Sequence, residues 1–287
     1  MIPVAFDYVT PATLDEAIAL LAFNLDARVI AGGQSLIPAM STRRLAPSML
    51  VDLRRIAGLR GITALDGSGV RVGAATTLDE LGTSMELRSR ASALADAAVA
   101  AGDTQVRHLG TLGGALADGH PAGDLIAAVS VLDAVVTLVG PDGERSMPAA
   151  QLVTGPYQTC IGRGEILISV HVPAPAGRSG SSYVKVRHPG SGYAICGAAA
   201  AAILGADGGV LSVRVALTGV ADHSAIVEGI RTGGGAETMA QAAAAAVGAA
   251  GLAFVSDLAA SGEYRAHLAG VLAGRAVDAA VWRARQG

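Results

Sequence analysis

VIAGGQSLIPAM, residues 29–40, is the stretch on which the reading of this chain turns. Residues 28–31 carry β-branched side chains straight into a pair of glycines and read as a buried strand. From Leu36 an apolar run resumes that suits a short helix. Gly32 and Gly33 can adopt backbone angles closed to other residues, and they put no Cβ between the main chain and a ligand. Successive free N–H groups in such a turn form a concave anion site. The Ser35 hydroxyl suits either a helix cap or a bond to a phosphate oxygen. Taken alone, Ala31, Gly32, Gly33, Gln34, Ser35 and Leu36 fit a plain strand-to-helix turn as well.

A second stretch, QVRHLGTLGGALADGHPAGD at residues 105–124, repeats the theme. Gly110, Thr111, Leu112, Gly113, Gly114 and Ala115 place another glycine pair one residue beyond a hydroxyl residue. Two such loops would suit a long diphosphate-containing ligand held from two sides. The pattern AGGQS, then QVR, then GTLGG, then a downstream Asp124 resembles the flavin-binding subunits of the molybdenum hydroxylases, the medium subunit of aerobic carbon monoxide dehydrogenase among them. The opening IPVAFDYVTPATLDEAIALL, the segment LVDLRRI and the late EYRAHLAGVLAGRAV are also similar to that family, so the resemblance covers the whole chain.

The resemblance implies an α+β chain with a two-part FAD-binding domain of the vanillyl-alcohol oxidase/MurB (PCMH) type, then a smaller C-terminal α+β domain. It implies FAD held without a covalent bond. Partner subunits would carry the molybdenum cofactor and two [2Fe–2S] clusters: a large subunit that oxidises substrate and a small iron–sulfur subunit, as a dimer of heterotrimers. Electrons would leave to a quinone or another acceptor. In the family pattern Asp124 reaches the flavin polyol or phosphate region, and Tyr193 lies near the isoalloxazine. The Lys185 charge would suit a phosphate or the flavin pyrimidine, although as a bare feature it reads as a solvated strand lysine. Likewise Asp124 reads as a first-turn helix carboxylate that needs no ligand. Gln34 stands where the carbon monoxide dehydrogenase subunit tends to have His, and Ala115 where Asn is common, which puts side-chain contacts at those two positions in question.

Composition sets outer bounds. At 287 residues the chain is long enough for two cored domains. Its 51% hydrophobic and 16% charged residues argue against disorder. A net charge of −3, with only 3% aromatic residues, offers neither the basic face nor the stacking platform of a nucleic-acid binder. The apolar runs, such as CGAAAAAILGA at residues 196–206, are too short to span a bilayer, so the chain does not read as an integral membrane protein. No secretory signal is read at the start, and the expected location is cytoplasmic, with attachment to the inner face of the membrane only through the complex. Two cysteines, Cys160 and Cys196, cannot supply the four thiolates of an iron–sulfur cluster.

Along the chain, residues 6–9, 49–53, 70–72, 134–139 and 166–172 read as strands, and 13–22 as an amphipathic helix capped by Thr13 with Glu16 three residues on. Residues 86–101 read as one helix and 124–133 as another. PAPAGRSGS, residues 173–181, reads as a linker, which sets the domains at 1–175 and 178–286. Beyond it come three strands (183–187, 194–204 and 210–219) and two helices (236–250 and 263–285), an order expected for helices on one face of an antiparallel sheet. His108 and His120 flank the second glycine stretch, outside any metal-ligand spacing. No catalytic side chain stands out. The rival readings are a stand-alone flavoprotein oxidoreductase, which would need its own substrate pocket and general base, and a cofactor-free scaffold.

Overall fold

The computed structural model describes residues 2–175, 177–231 and 238–286. Strand β1 (Asp7–Val9), helix α1 (Leu14–Phe23), β2 (Ala27–Ile30), helix α2 (Leu36–Ser41) and β3 (Met49–Asp52) form a first unit. Its three strands pair in parallel in the order β1-β3-β2. Thr13 caps α1 by accepting the Glu16 N–H, and Ala17 and Leu21 face a small core with Val51 and Leu53.

Next come β4 (Ile62–Leu65) and β5 (Gly69–Gly73), followed by six helices. These are α3 (Leu78–Thr83), α4 (Met85–Arg90), α5 (Ser92–Ala100), α6 (Thr104–Leu109), α7 (Leu112–Asp118) and α8 (Asp124–Val131). The strands β6 (Val135–Gly140), β7 (Gly143–Pro148), β8 (Val153–Gly155), β9 (Gln158–Thr159) and β10 (Ile166–Pro173) complete the part. An antiparallel five-stranded sheet runs β4-β5-β10-β6-β7. Its main core is built from Val70, Val72, Leu94, Leu112, Val136, Leu138 and Val170.

The last part has β11 (Arg178–Arg187), β12 (Ala194–Leu204), β13 (Val210–Thr218) and β14 (Ala225–Val227), antiparallel in sequence order, then helices α9 (Met239–Ala249) and α10 (Gly262–Gln286). Alternate residues of β12 serve two cores. Cys196, Ala198, Ala200 and Ala202 face α9 and α10, whereas Ala199 joins the core under α5 and α8. An alanine-rich strand suits this place because helices close on both of its faces. The expectation of helices on one face therefore captures half of the arrangement.

Gln105, Val106 and Arg107 lie on α6. Three other expectations change. The 86–101 helix is two helices, broken at Ala91 (φ −145°, ψ 50°). The linker is shorter than PAPAGRSGS, since β10 runs to Pro173 and β11 starts at Arg178. Gly113 and Gly114 lie inside α7. Residues 236 and 237 of the helix expected from 236 lie outside the described residues. Among the described residues no helix is long and apolar enough to cross a membrane.

Candidate functional site

Strand β2 ends at Ile30, and the chain turns through Ala31–Ser35 into α2. Gly33 takes φ +69°, the left-handed region that a Cβ disfavours. Its carbonyl accepts the Ile37 N–H at 3.0 Å, and the Gln34 amide Nε2 donates to Gly32 O at 3.0 Å. No acceptor among the described residues takes the N–H groups of Gly33, Gln34, Ser35 or Leu36. All four residues are half-buried. A row of free amides in a glycine turn, shielded on one side, is the arrangement that a phosphate group requires. Ser35 does not cap α2. Its hydroxyl instead lies beside the Asp118 carboxylate and the Tyr193 phenol.

The second glycine stretch lies directly against the first. A Cβ on Gly32 would overlap the Leu109 carbonyl oxygen and come within 2.8 Å of Gly110 Cα. Its backbone, however, is helical and its amides are engaged within the protein. Thr111 caps α7 and accepts the Gly114 N–H at 3.1 Å. Leu112 N–H goes to Thr76 O at 3.0 Å, Gly113 N–H to Ala74 O at 2.8 Å, and Ala115 N–H to Thr111 O at 3.0 Å. The amides of Leu112 to Ala115 are therefore spent on the protein, and the Leu112 side chain is fully buried. A Cβ on Gly113 would sit 2.5 Å from Ala74 Cβ, so this glycine exists for close backbone packing. Four successive free amides thus lie on the first stretch, and the second packs directly against it.

Asp124 opens α8 and is 4% exposed. Its carboxylate accepts the Tyr183 hydroxyl at 2.5 Å and the Lys185 ammonium at 3.0 and 2.9 Å. Burial pushes Asp124 above the ordinary carboxylate range, against the pull of the Lys185 charge. Burial likewise pushes Lys185 down, against the pull of Asp124. Asp124 therefore faces inward, and Lys185 is an internal partner rather than a solvated strand lysine.

Tyr193 stacks on His120 with ring centroids 3.7 Å apart and planes 9° from parallel. Tyr157 meets His120 edge-on at 5.1 Å, and the Arg44 guanidinium lies 5.3 Å over the Tyr157 ring. Burial, with Arg44 nearby, holds His120 down at about 4. His108 is turned away, exposed and 3.5 Å from Asp79. Asp118, Tyr157, Tyr183 and Arg44 were not singled out from sequence. Only Tyr157 carried a local signal, in the GPY turn where it adopts φ +57°.

These features fit a flavin dinucleotide: free amides for a diphosphate, and flat rings beside them for a heterocycle. A cleft of about 590 Å³ lies elsewhere, between α5, β11 and α10. The charged groups there are already matched, Arg283 with Asp96 at 2.6 Å and Arg88 with Gly82 O at 2.8 Å.

Comparison with known proteins agrees with this geometry. Residues 4–175 match the family described as the FAD binding domain in molybdopterin dehydrogenase. Residues 181–280 match the CO dehydrogenase flavoprotein C-terminal domain. The carbon monoxide dehydrogenase medium chain of Afipia carboxidovorans is 38% identical, across 99% of this chain and 100% of that one. The 6-hydroxypseudooxynicotine dehydrogenase complex subunit alpha of Paenarthrobacter nicotinovorans is 34% identical, across 99% and 97%. A solved carbon monoxide dehydrogenase structure from Hydrogenophaga pseudoflava superposes with a TM-score of 0.91 at 36% identity, covering 99% of both chains.

Proposed function

Because this chain belongs to the family of FAD-binding medium subunits of the molybdenum hydroxylases, we propose that it is the FAD-carrying electron-transfer subunit of a heterotrimeric complex of that kind. It stands between the [2Fe–2S] clusters of a small partner subunit and an external acceptor such as a quinone. The molybdenum cofactor and the substrate pocket belong to a large partner, in a cytoplasmic dimer of heterotrimers. The observation that carries the reading is the row of free amides from Gly33 to Leu36, braced against Leu109 and Gly110.

In this assignment the backbone of Ala31, Gly32, Gly33, Gln34, Ser35 and Leu36 binds the diphosphate. Gly110, Thr111, Leu112, Gly113, Gly114 and Ala115 form the wall that fixes that loop. Tyr193 is the flat partner of the flavin ring, with Asp124 and Lys185 behind its turn. Bound flavin supplies the capacity to accept electrons singly and release them in pairs. Backbone amides do not depend on the side chains at positions 34 and 115, so Gln34 and Ala115 are compatible with this binding mode. Relatives named for carbon monoxide and for 6-hydroxypseudooxynicotine match this chain end to end. That supports placing substrate choice on another subunit.

Purification of the complex followed by acid or heat denaturation tests the reading. One FAD per copy of this chain should appear in the supernatant, and iron should follow the partner subunits. Flavin that stays with the precipitated chain would refute non-covalent binding, and a complex without flavin would refute the function.

A further inference from the structure

Lys185 has three ammonium protons and three protein acceptors. Two are the Asp124 carboxylate oxygens, at 3.0 and 2.9 Å, and the third is Gly192 O at 2.9 Å. The side chains of Lys185 and Asp124 are 5% and 4% exposed. Nothing is left on the ammonium for a ligand. The partners tie the start of α8 to strand β11 and to the turn that joins β11 to β12. That turn is closed by Gly192 N–H to His188 O at 3.0 Å and by His188 N–H to Tyr193 O at 2.8 Å. Gly192, at φ +77°, is the residue before Tyr193. Tyr183, two residues before Lys185 on the same face of β11, holds Asp124 from the other side. Gly197 keeps that space open, since a Cβ there would overlap the Tyr183 hydroxyl.

A buried ion pair is a poor source of stability, because desolvation offsets most of the attraction. Fixing a geometry is a better reason for it. The geometry points to Lys185 as a positioning residue that ties the buried Asp124 carboxylate to the Gly192–Tyr193 turn and so sets the Tyr193 ring against His120 at the flavin edge. Asp124 acts through Lys185, not by touching the cofactor. This inference rests on the FAD-binding reading for its consequence, but the link itself belongs to the protein alone.

Histidine-selective NMR of the full-length chain without flavin tests the link directly. The His120 ring resonance, assigned by its loss in His120→Gln, should carry an upfield ring-current shift from Tyr193. Tyr193→Phe should keep that shift and Tyr193→Leu abolish it. Lys185→Met should also abolish it. That variant leaves a lone buried carboxylate, so a second one, Asp124→Asn with Lys185→Met, removes both charges and keeps an acceptor for Tyr183. Loss of the shift in the charge-free variant supports the link, and an unchanged shift overturns it.

FAD titration of the flavin-stripped complex gives the second arm. Lys185→Met should weaken binding about tenfold, roughly the loss of one good hydrogen bond. Combined with Tyr193→Leu it should weaken binding no further than Tyr193→Leu alone. Multiplying effects would mean that Lys185 meets the cofactor itself, against the proposal. If the NMR shifts respond as expected while the wild-type complex takes up no FAD, the link stands and the flavin reading falls.

Discussion

His120 shows how far its surroundings set a residue's chemistry. Its Nδ1 accepts the Ala122 N–H at 3.0 Å, which fixes the proton on Nε2. One ring face lies on Tyr193, and Arg44 is close enough to oppose a second positive charge. Protonation would break the Ala122 bond and place a cation in a half-buried site, so the imidazole titrates at about 4 instead of 6.5. The unfolded chain binds this proton first as pH falls, so the contribution is whole above about pH 6.5 and is lost between there and about pH 4. Over the step from pH 7 to pH 5 the loss from this residue is about 2 kcal/mol, an upper figure because solvent still reaches the ring. Urea unfolding at both values should show that excess loss in the wild type relative to His120→Gln. Parallel slopes for the two proteins would mean that His120 is not held neutral.

At the scale of elements, the two glycine pairs look alike in sequence and do different work. Gly33 needs its left-handed φ, and an added Cβ would meet side chains alone, Ile37 Cγ1 at 3.2 Å and Ile30 Cδ1 at 3.4 Å. Gly33→Ala should therefore cost about 1–2 kcal/mol in fold stability and should redirect the free amides, so FAD affinity falls at least about tenfold. Gly113→Ala forces an overpacked contact with Ala74, and the chain without flavin should lose about 1–3 kcal/mol. Thermal unfolding of both variants without flavin, beside FAD titration, separates the two roles. If Gly113→Ala unfolds like wild type but fails to bind FAD, the second stretch is a ligand loop after all.

The first pair was legible because a β-branched strand, two glycines and a resumed apolar run are all local signals. The helical setting of the second was not legible, because glycines inside a helix run against propensity, by about 1 kcal/mol each, and the contact that calls for Gly113 is with Ala74, far back in the chain. The three-residue β8 and two-residue β9 are too short to leave a pattern. The cluster around His120 draws on residues 35, 44, 118, 157 and 193, a convergence that no periodicity encodes.

Across the whole molecule, the C-terminal sheet works as a brace for the site. Thr218, at the end of β13, donates its hydroxyl to Pro121 O at 3.0 Å and Gly123 O at 2.8 Å, which fixes the turn between His120 and Asp124. Arg283 on α10 reaches Asp96 on α5 and Ser181 O, so the long terminal helix is tied to the flavin-binding part. Both parts thus shape one site that fits a cofactor. A complex assembled with Gly33→Val, whose branched side chain at φ +69° removes the diphosphate seat, should therefore separate two activities. Substrate oxidation coupled to an artificial one-electron dye should continue near the wild-type rate, because the molybdenum and iron–sulfur centres of the partners are untouched. Reduction of the physiological acceptor should fall to background, and added FAD should not restore it. Size-exclusion chromatography must show the three subunits together for the comparison to count. If dye reduction disappears as well from an assembled complex, substrate chemistry depends on this chain, and its proposed role as an electron-transfer subunit is wrong.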